Sequence, residues 1–265
     1  MKYKVISTDF DGTLLTSDKK VTDRVQNILL KYKEQGYLIV GITARNLSSV
    51  KSVCDIKLFN YLILNNGAFI YDTEKEQGKN IGSISKEEAM RIIEYFYGRA
   101  VAIDVCSTEK YYRYRAEITR PRPFAVKINS LEEVEEPICR LNVYGRDNAE
   151  IMDFKQYIDT NFTKVDTILM LDTDNKNSEK WITLNSKDLN KYSTLKYLCN
   201  QENITTQEVV FFGDGLNDME IIQGVGLGIA MENAVPELKE EANLTIKSND
   251  NNGIAEFLEN NLGTL

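Results

Sequence analysis

Four short polar runs hold the residues best able to do chemistry: Asp9-Phe10-Asp11-Gly12-Thr13, Thr43-Ala44-Arg45, an isolated Lys191, and Gly213-Asp214-Gly215-Leu216-Asn217-Asp218. Singly, each has an ordinary explanation. An Asp-Gly after a strand is usually a turn, Thr43 a cap or turn residue, and a lone lysine a solvated surface group. Together they supply three or four carboxylates, a hydroxyl and an ammonium. Gathered carboxylates repel unless a cation joins them, and an oxygen-only donor set suits Mg²⁺. The chain contains no His. That excludes Ser-His-Asp and Cys-His catalysis, His-ligated zinc and imidazole as general base. Proton transfer is left to carboxylates, Lys, Tyr, Cys or water.

The elements around these runs suggest how they could meet. Lys4–Thr8 is a β-rich run ending at Asp9. Thr22 can cap a helix whose apolar positions Val21, Val25, Ile28, Leu29 and Tyr32 fit a 3.6-residue period, with Gly36 stopping it. Tyr37–Ile42 reads as a strand buried on both faces, Asn46–Asp55 as a helix, and Tyr61–Leu64 as a strand. The middle of the chain changes character. Asp72–Asn80 reads as a polar linker, and Ser85-Lys86-Glu87-Glu88 is a capping box before a helix through Ala89, Ile92, Ile93 and Phe96. Short strand-like pieces follow at Val101–Val105, Tyr111–Ala116, Leu141–Tyr144 and Ile168–Leu171, then a second polar stretch, Asp172–Lys180. The alternation of strand and helix returns with Ser193–Cys199, Glu208–Phe212, Met219–Gln223, Gly226–Ala230, Pro236–Ala242, Leu244–Lys247 and Ile254–Asn260. The expectation is an α/β protein: a doubly wound, Rossmann-like parallel-sheet core from residues 1–83 and 186–265, with an α+β domain, residues 84–185, inserted between. In such sheets ligands bind outside the carboxyl ends of the strands, where the polar runs fall.

Composition narrows the field. The 265 residues carry 32 Lys+Arg against 40 Asp+Glu, a net charge of −8. An acidic chain lacks the field that duplex nucleic acid or an anionic membrane requires, so neither is expected as a partner. Cys54, Cys106, Cys139 and Cys199 are scattered without a C-x-x-C pair, as expected of reduced thiols. No apolar run is long enough to span a membrane, and a cytoplasmic protein, monomeric or weakly homodimeric, is the expectation.

Asp9-x-Asp11-Gly-Thr-Leu, Thr43, Lys191 and Gly213-Asp214-x-x-Asn217-Asp218, in this order, resemble the four-motif set of the haloacid dehalogenase (HAD) superfamily, and more closely its Cof-type sugar-phosphatase branch. Asn66-Gly67-Ala68 and the run from Gly228 to Ala234 resemble further signatures of that branch. The resemblance implies a Mg²⁺-dependent phosphatase of small phosphorylated metabolites, sugar phosphates foremost. It implies Asp9 as the nucleophile that forms an aspartyl phosphate, and Asp11 as the acid and then the base. Mg²⁺ would be held by Asp9, the Asp11 backbone carbonyl and Asp214, with Asp218 supporting it directly or through water. Thr43, Lys191 and Asn217 would hold phosphate oxygens. The chain departs from the branch at Ala44, where Gly is usual. The spacing from Trp181-Ile182-Thr183 to Lys191 is also slightly long, which leaves Lys187 as an alternative. Lys191 is preferred because Lys-x-x-x-Leu runs directly into a helix.

The inserted domain resembles the branch's α/β cap in position and size. Tyr111-Tyr112-Arg113-Tyr114-Arg115, with Arg120 and Arg122, concentrates positive charge, and reads either as a strand with one charged face or as a lid touching an anionic or sugar leaving group. The Tyr144-Gly145-Arg146-Asp147 turn is equally open. Arg45, Asn66, Arg113 and Arg115 are therefore candidate specificity residues. Two alternatives stay open: a phosphosugar mutase of the same superfamily, and a non-enzymatic receiver-like phospho-acceptor, which the chain's length and Asp11 argue against.

Overall fold

A computed structural model of the chain describes residues 2–116, 125–170, 180–187 and 189–261. Two compact units emerge, one of residues 1–45, 49–79 and 190–265, the other of residues 46–48 and 80–189.

The first unit opens with β1 (Val5–Thr8), all four residues buried. Helix α1 (Asp23–Glu34) starts where expected: the Thr22 hydroxyl accepts the Val25 amide, and Val25, Ile28, Leu29 and Tyr32 face inward. β2 (Leu38–Ile42), the short helix α2 (Leu47–Lys51) and β3 (Tyr61–Leu64) follow. The expected helix over Asn46–Asp55 is therefore cut to its first part: a second, separate 3₁₀ turn over Ile56–Leu58 is capped by Asp55. β4 (Phe69–Asp72) runs antiparallel to β3, and β5 (Gln77–Asn80) closes the edge. The stretch read as a linker, Asp72–Asn80, is thus a hairpin-like turn and an edge strand. An edge strand with every residue exposed carries no apolar alternation to betray it.

The second unit begins with α3 (Lys86–Phe96), capped by Ser85. Its sheet comprises β6 (Ala102–Ser107), β7 (Tyr111–Ala116), β8 (Val126–Lys127), β9 (Ile138–Gly145), β10 (Val165–Met170) and β11 (Lys180–Ser186), in the order β10-β11-β9-β6-β7-β8. All pairings are antiparallel except β7 with β8. Helix α4 (Asn148–Asn161), capped by Asp147, and strand β11 were not anticipated. α4 was legible in principle, since Ile151, Phe154 and Ile158 fall on one helical stripe. One face of the sheet packs on both helices: Ile103, Val105, Leu141, Val143, Ile182 and Leu184 join Ile92, Phe96, Phe154 and Ile158 in one core. Arg120, Arg122 and residues 171–179 lie outside the described residues.

The chain returns to the first unit with α5 (Lys191–Gln201), β12 (Val209–Gly213), α6 (Met219–Gly224), β13 (Leu227–Met231), α7 (Pro236–Glu241), β14 (Leu244–Ile246) and α8 (Gly253–Asn260). The sheet order is β14-β13-β12-β1-β2-β3-β4-β5, parallel from β14 to β3. β1 thus lies between β2, reached by the outgoing chain, and β12, reached by the returning one. This is the switch point of a doubly wound fold, where the divergent connections leave a crevice at the strand ends. The fold is the expected α/β, Rossmann-like core with a second α+β unit inserted.

Core packing beneath that crevice is tight. A Cβ on Gly41 of β2 would lie 2.7–3.0 Å from Phe10, Leu62 and Phe59 side chains. Gly41→Ala is expected to lower stability by about 1–3 kcal/mol, the usual cost of overpacking, measured by urea unfolding; an unchanged midpoint would contradict this packing.

Candidate active site

Asp9 follows β1, and its amide donates to Phe212 O of β12 at 2.9 Å, which locks the two strand ends together. Lys191 occupies the first turn of α5, whose start is fixed by reciprocal capping between Asn190 and Ser193. From there its ammonium donates to Asp9 Oδ1 at 2.5 Å and Asp218 Oδ1 at 2.8 Å, with only 2% of the residue exposed. The other oxygen of Asp218 accepts the amides of Asp214 (3.1 Å) and Gly215 (3.2 Å), shaping the loop after β12. Asp214 Oδ1 accepts the Thr13 hydroxyl at 2.7 Å. One carboxylate oxygen from each of Asp9, Asp214 and Asp218 falls within 4.8 Å of the others.

Electrostatics follow from the count of charges. Burial pushes the Asp9 carboxyl well above the usual range; Lys191 pulls it down, while Asp218 and Asp214 push it further up. Asp214 is raised as well, first by burial. Burial acts against the Lys191 ammonium, but its two carboxylate partners outweigh that and hold it protonated. Three acids thus share one resident cation. Asp9 and Asp214 each use one oxygen in these hydrogen bonds, whereas both Asp218 oxygens are engaged. The donor set therefore fits a hard divalent cation through Asp9 and Asp214, with Asp218 holding the loop and the ammonium.

Asp11 points into a different environment. Arg45 grips it through two bonds, Nε to Oδ2 at 2.7 Å and Nη2 to Oδ1 at 2.8 Å, and Lys19 Nζ adds a third at 2.8 Å. These cations overcome partial burial and bring its pKa down to about 2. Thr43 is buried after β2, and its hydroxyl accepts the Arg45 amide at 3.1 Å, which leaves its O–H proton as a donor. Asn66 sits in the left-handed region at φ 57, between Asn65 at φ 52 and Gly67 at φ 104, and its amide donates to Thr43 O at 3.1 Å. Asn217 is exposed on the loop after β12.

The first unit thus brings together Asp9, Asp214, Asp218 and Lys191, and pairs Asp11 with Arg45. Lys187 and Arg113 belong to the second unit, as does Arg115, farther along β7. Lys187 is exposed just beyond β11, and Arg113 forks onto Asp104 at 2.7 and 2.9 Å. Three contributors had not been singled out. Thr13 and Asn233, whose amide holds Gly12 O at 2.7 Å, lay inside quoted motifs; Lys19, in a turn at φ 60, carried no sequence signal.

Residues 6–258 match the family model of haloacid dehalogenase-like hydrolases, and the chain belongs to that family. Phosphatase YwpJ of Bacillus subtilis is 26% identical over 288 residues, covering 97% of this chain and 99% of its own. A haloacid dehalogenase-like hydrolase from Bacteroides thetaiotaomicron superposes with a TM-score of 0.84 at 22% identity, over 98% of this chain and 99% of that one. A solved HAD subclass IIB sugar phosphatase gives a TM-score of 0.75 at 18% identity, over 97% and 98% of the two chains, a likeness of fold. With this family and these relatives, the chain is a hydrolase of the phosphatase type. Among the described residues no helix is long and apolar enough to cross a membrane.

Removing Lys191 would strand two buried carboxylates. Lys191→Met is expected to cost about 3 kcal/mol or more in urea unfolding, and wild-type stability would refute the pairing. Arg45→Ala should let the Asp11 pKa climb from about 2 toward its ordinary 3.8, read by ¹³C NMR titration of the carboxyl. Because the folded value lies below the unfolded one, the Asp11 cluster stabilises the fold above the ordinary carboxylate pKa and is lost as pH falls toward 2. The variant should therefore lose less stability than wild type across that window.

Proposed function

We propose that this enzyme is a Mg²⁺-dependent phosphatase of small phosphorylated metabolites, with sugar phosphates as the leading class, acting through an aspartyl phosphate on Asp9. The observation that carries this reading is the buried Asp9 carboxylate, held by Lys191 beside two further acids at the switch point. Mg²⁺ held by Asp9 and Asp214, with Asp218 in support, would neutralise the acidic cluster and draw charge from the phosphoryl oxygens. An Asp9 oxygen attacks phosphorus as the bond to the ester oxygen breaks. Lys191 and the Thr43 hydroxyl receive the phosphoryl oxygens, and Asn217 reaches the same group from the loop after β12.

Asp11 protonates the departing alkoxide and then takes a proton from the water that hydrolyses the phospho-enzyme. A carboxyl held near 2 by Arg45 and Lys19 carries no proton at neutral pH, so Asp11 must leave those partners before it can act as the acid. The sugar preference is supported by the fold shared with a sugar phosphatase and by the Cof-type motifs.

Asp9→Asn should reduce hydrolysis of p-nitrophenyl phosphate and hexose phosphates by about 10³-fold or more while leaving the circular dichroism spectrum unchanged. Chelation should abolish wild-type turnover and Mg²⁺ restore it. Full activity in the Asn variant would overturn the nucleophile, and activity surviving chelation would overturn the metal requirement.

A further inference from the structure

The first unit holds a cavity of about 410 Å³ away from Asp9, a size in the range of small-molecule sites. Strands β3, β4 and β5 and helix α5 line it with Tyr61, Ile70, Lys79, Tyr197, Leu198 and Glu202 among others. Tyr61 begins β3 and stands in register with Asp72, which ends the antiparallel β4. Both therefore lie at the end of the sheet opposite to Asn66 and the Asp9 site. Helix α5 spans the two places, with Lys191 in its first turn and Tyr197 and Leu198 toward its end.

The cavity has two charged poles and an apolar middle. At one pole Lys79 Nζ hydrogen-bonds the Tyr197 hydroxyl and lies 4.9 Å from the ring centroid. No carboxylate pairs with Lys79 among the described residues. Lys75, the other ammonium of the lining, is already held by Asp72 at 2.7 Å. At the second pole Glu202 Oε1 accepts the Tyr61 hydroxyl at 2.7 Å, while Oε2 makes no hydrogen bond among the described residues. Glu202 is the C-cap of α5, where the negative end of the helix dipole favours a cation. Between the poles lie Ile70 and Leu198, 6% and 5% exposed.

The charged side chains of the lining are Asp72, Lys75, Lys79 and Glu202, which cancel. Such a cavity has no field for a plain anion or a plain cation, but its open groups match a ligand that carries both charges. Tyr197 and Glu202 are five residues apart on one helix, a rise of about 7.5 Å. Two charge-assisted hydrogen bonds of about 2.8 Å, with the short backbone of an α-amino acid between them, cover such a span. The side chain then falls to Ile70, Leu198 and the two tyrosine rings, which suit an aromatic group.

We infer that this cavity binds an aromatic α-amino acid, its carboxylate on Lys79 and its ammonium on Glu202. The site is separate from the one around Asp9, and the inference does not rest on the function proposed above.

The test is isothermal titration calorimetry of the full-length protein with L-phenylalanine, which should bind saturably. Phenethylamine lacks the carboxylate and 3-phenylpropanoate lacks the ammonium. Each should bind about tenfold more weakly or worse, the worth of one charged hydrogen bond. Lys79→Met should bring L-phenylalanine down to the affinity of phenethylamine. Glu202→Gln, which keeps an acceptor for Tyr61, should bring it down to that of 3-phenylpropanoate. Asp9→Asn should bind L-phenylalanine as wild type does. Absence of saturable binding overturns the inference, as does wild-type affinity in both cavity variants, or loss of binding in a folded Asp9→Asn protein. Equal affinity of the wild type for all three compounds also overturns it, and that comparison holds even if a variant unfolds. No probe carries phosphate, so the result is independent of what Asp9 turns over.

Discussion

Lys191 lies between Asp9 and Asp218, buried to 2% exposure, and most of the site's geometry follows from that arrangement. Taking three charges out of water is costly, and the attraction among them repays it only when the partners are held close. Three segments must therefore stay in register: the end of β1, the first turn of α5 and the loop after β12. Lysine suits the place because its ammonium is compact and has three donors. Two are used by Asp9 and Asp218, and the third remains for an anionic ligand. Burial first, and then the neighbouring carboxylates that one ammonium does not balance, push Asp9 and Asp214 upward.

The two aspartates of the first motif are separated by a single residue yet lie in opposite electrostatic settings. Asp9 is buried among acids; Asp11 is turned toward two cations and held down to about 2. The backbone between them and Thr13 makes this divergence possible. Gly12 adopts φ 85, and a Cβ there would sit 2.2 Å from Asp214 Oδ2, so only glycine allows the loop to pass Asp214 this closely. Asn233 on Gly12 O and Asn249 on Leu15 O then pin the loop to the segments after β13 and β14. The split runs opposite to the roles proposed above, since a nucleophile must be ionised and an acid must hold a proton: Asp9 needs further positive charge beside it, and Asp11 must part from Arg45 and Lys19.

Much of this was legible in the sequence for a simple reason: a parallel strand buried on both faces is an apolar run, and its end is where the polar motif begins. Val5–Thr8 into Asp9, and Val209–Gly213 into Asp214, are readable this way. Lys191 was favoured over Lys187 because a helix starts there, and the Asn190–Ser193 caps are the physical form of that signal. Features that depend on tertiary placement were not legible. Lys19 meets Asp11 only because a turn puts it at φ 60. β5 is wholly exposed, and β11 alternates apolar residues with Trp181, Thr183 and Asn185, a pattern blurred by the polar stretch before it. Charge states were further out of reach, since Asp9 and Asp11 are the same residue type and burial decides between them.

The distribution of positive charge is where structure most alters the sequence reading. The arginines near Tyr111 looked like a source of charge for an anionic ligand, but Arg113 is spent on Asp104 with two bonds. Arg45, beside Thr43, is likewise committed to Asp11. A guanidinium already forked onto a carboxylate adds little net field for a phosphate, because the pair presents a dipole rather than a charge. In the described residues around Asp9 the resident positive charge that faces the acids is Lys191, and two carboxylates already share it. Asp9 and Asp214 each keep one oxygen outside the hydrogen bonds described above, and those two oxygens are the donors that fit a further cation.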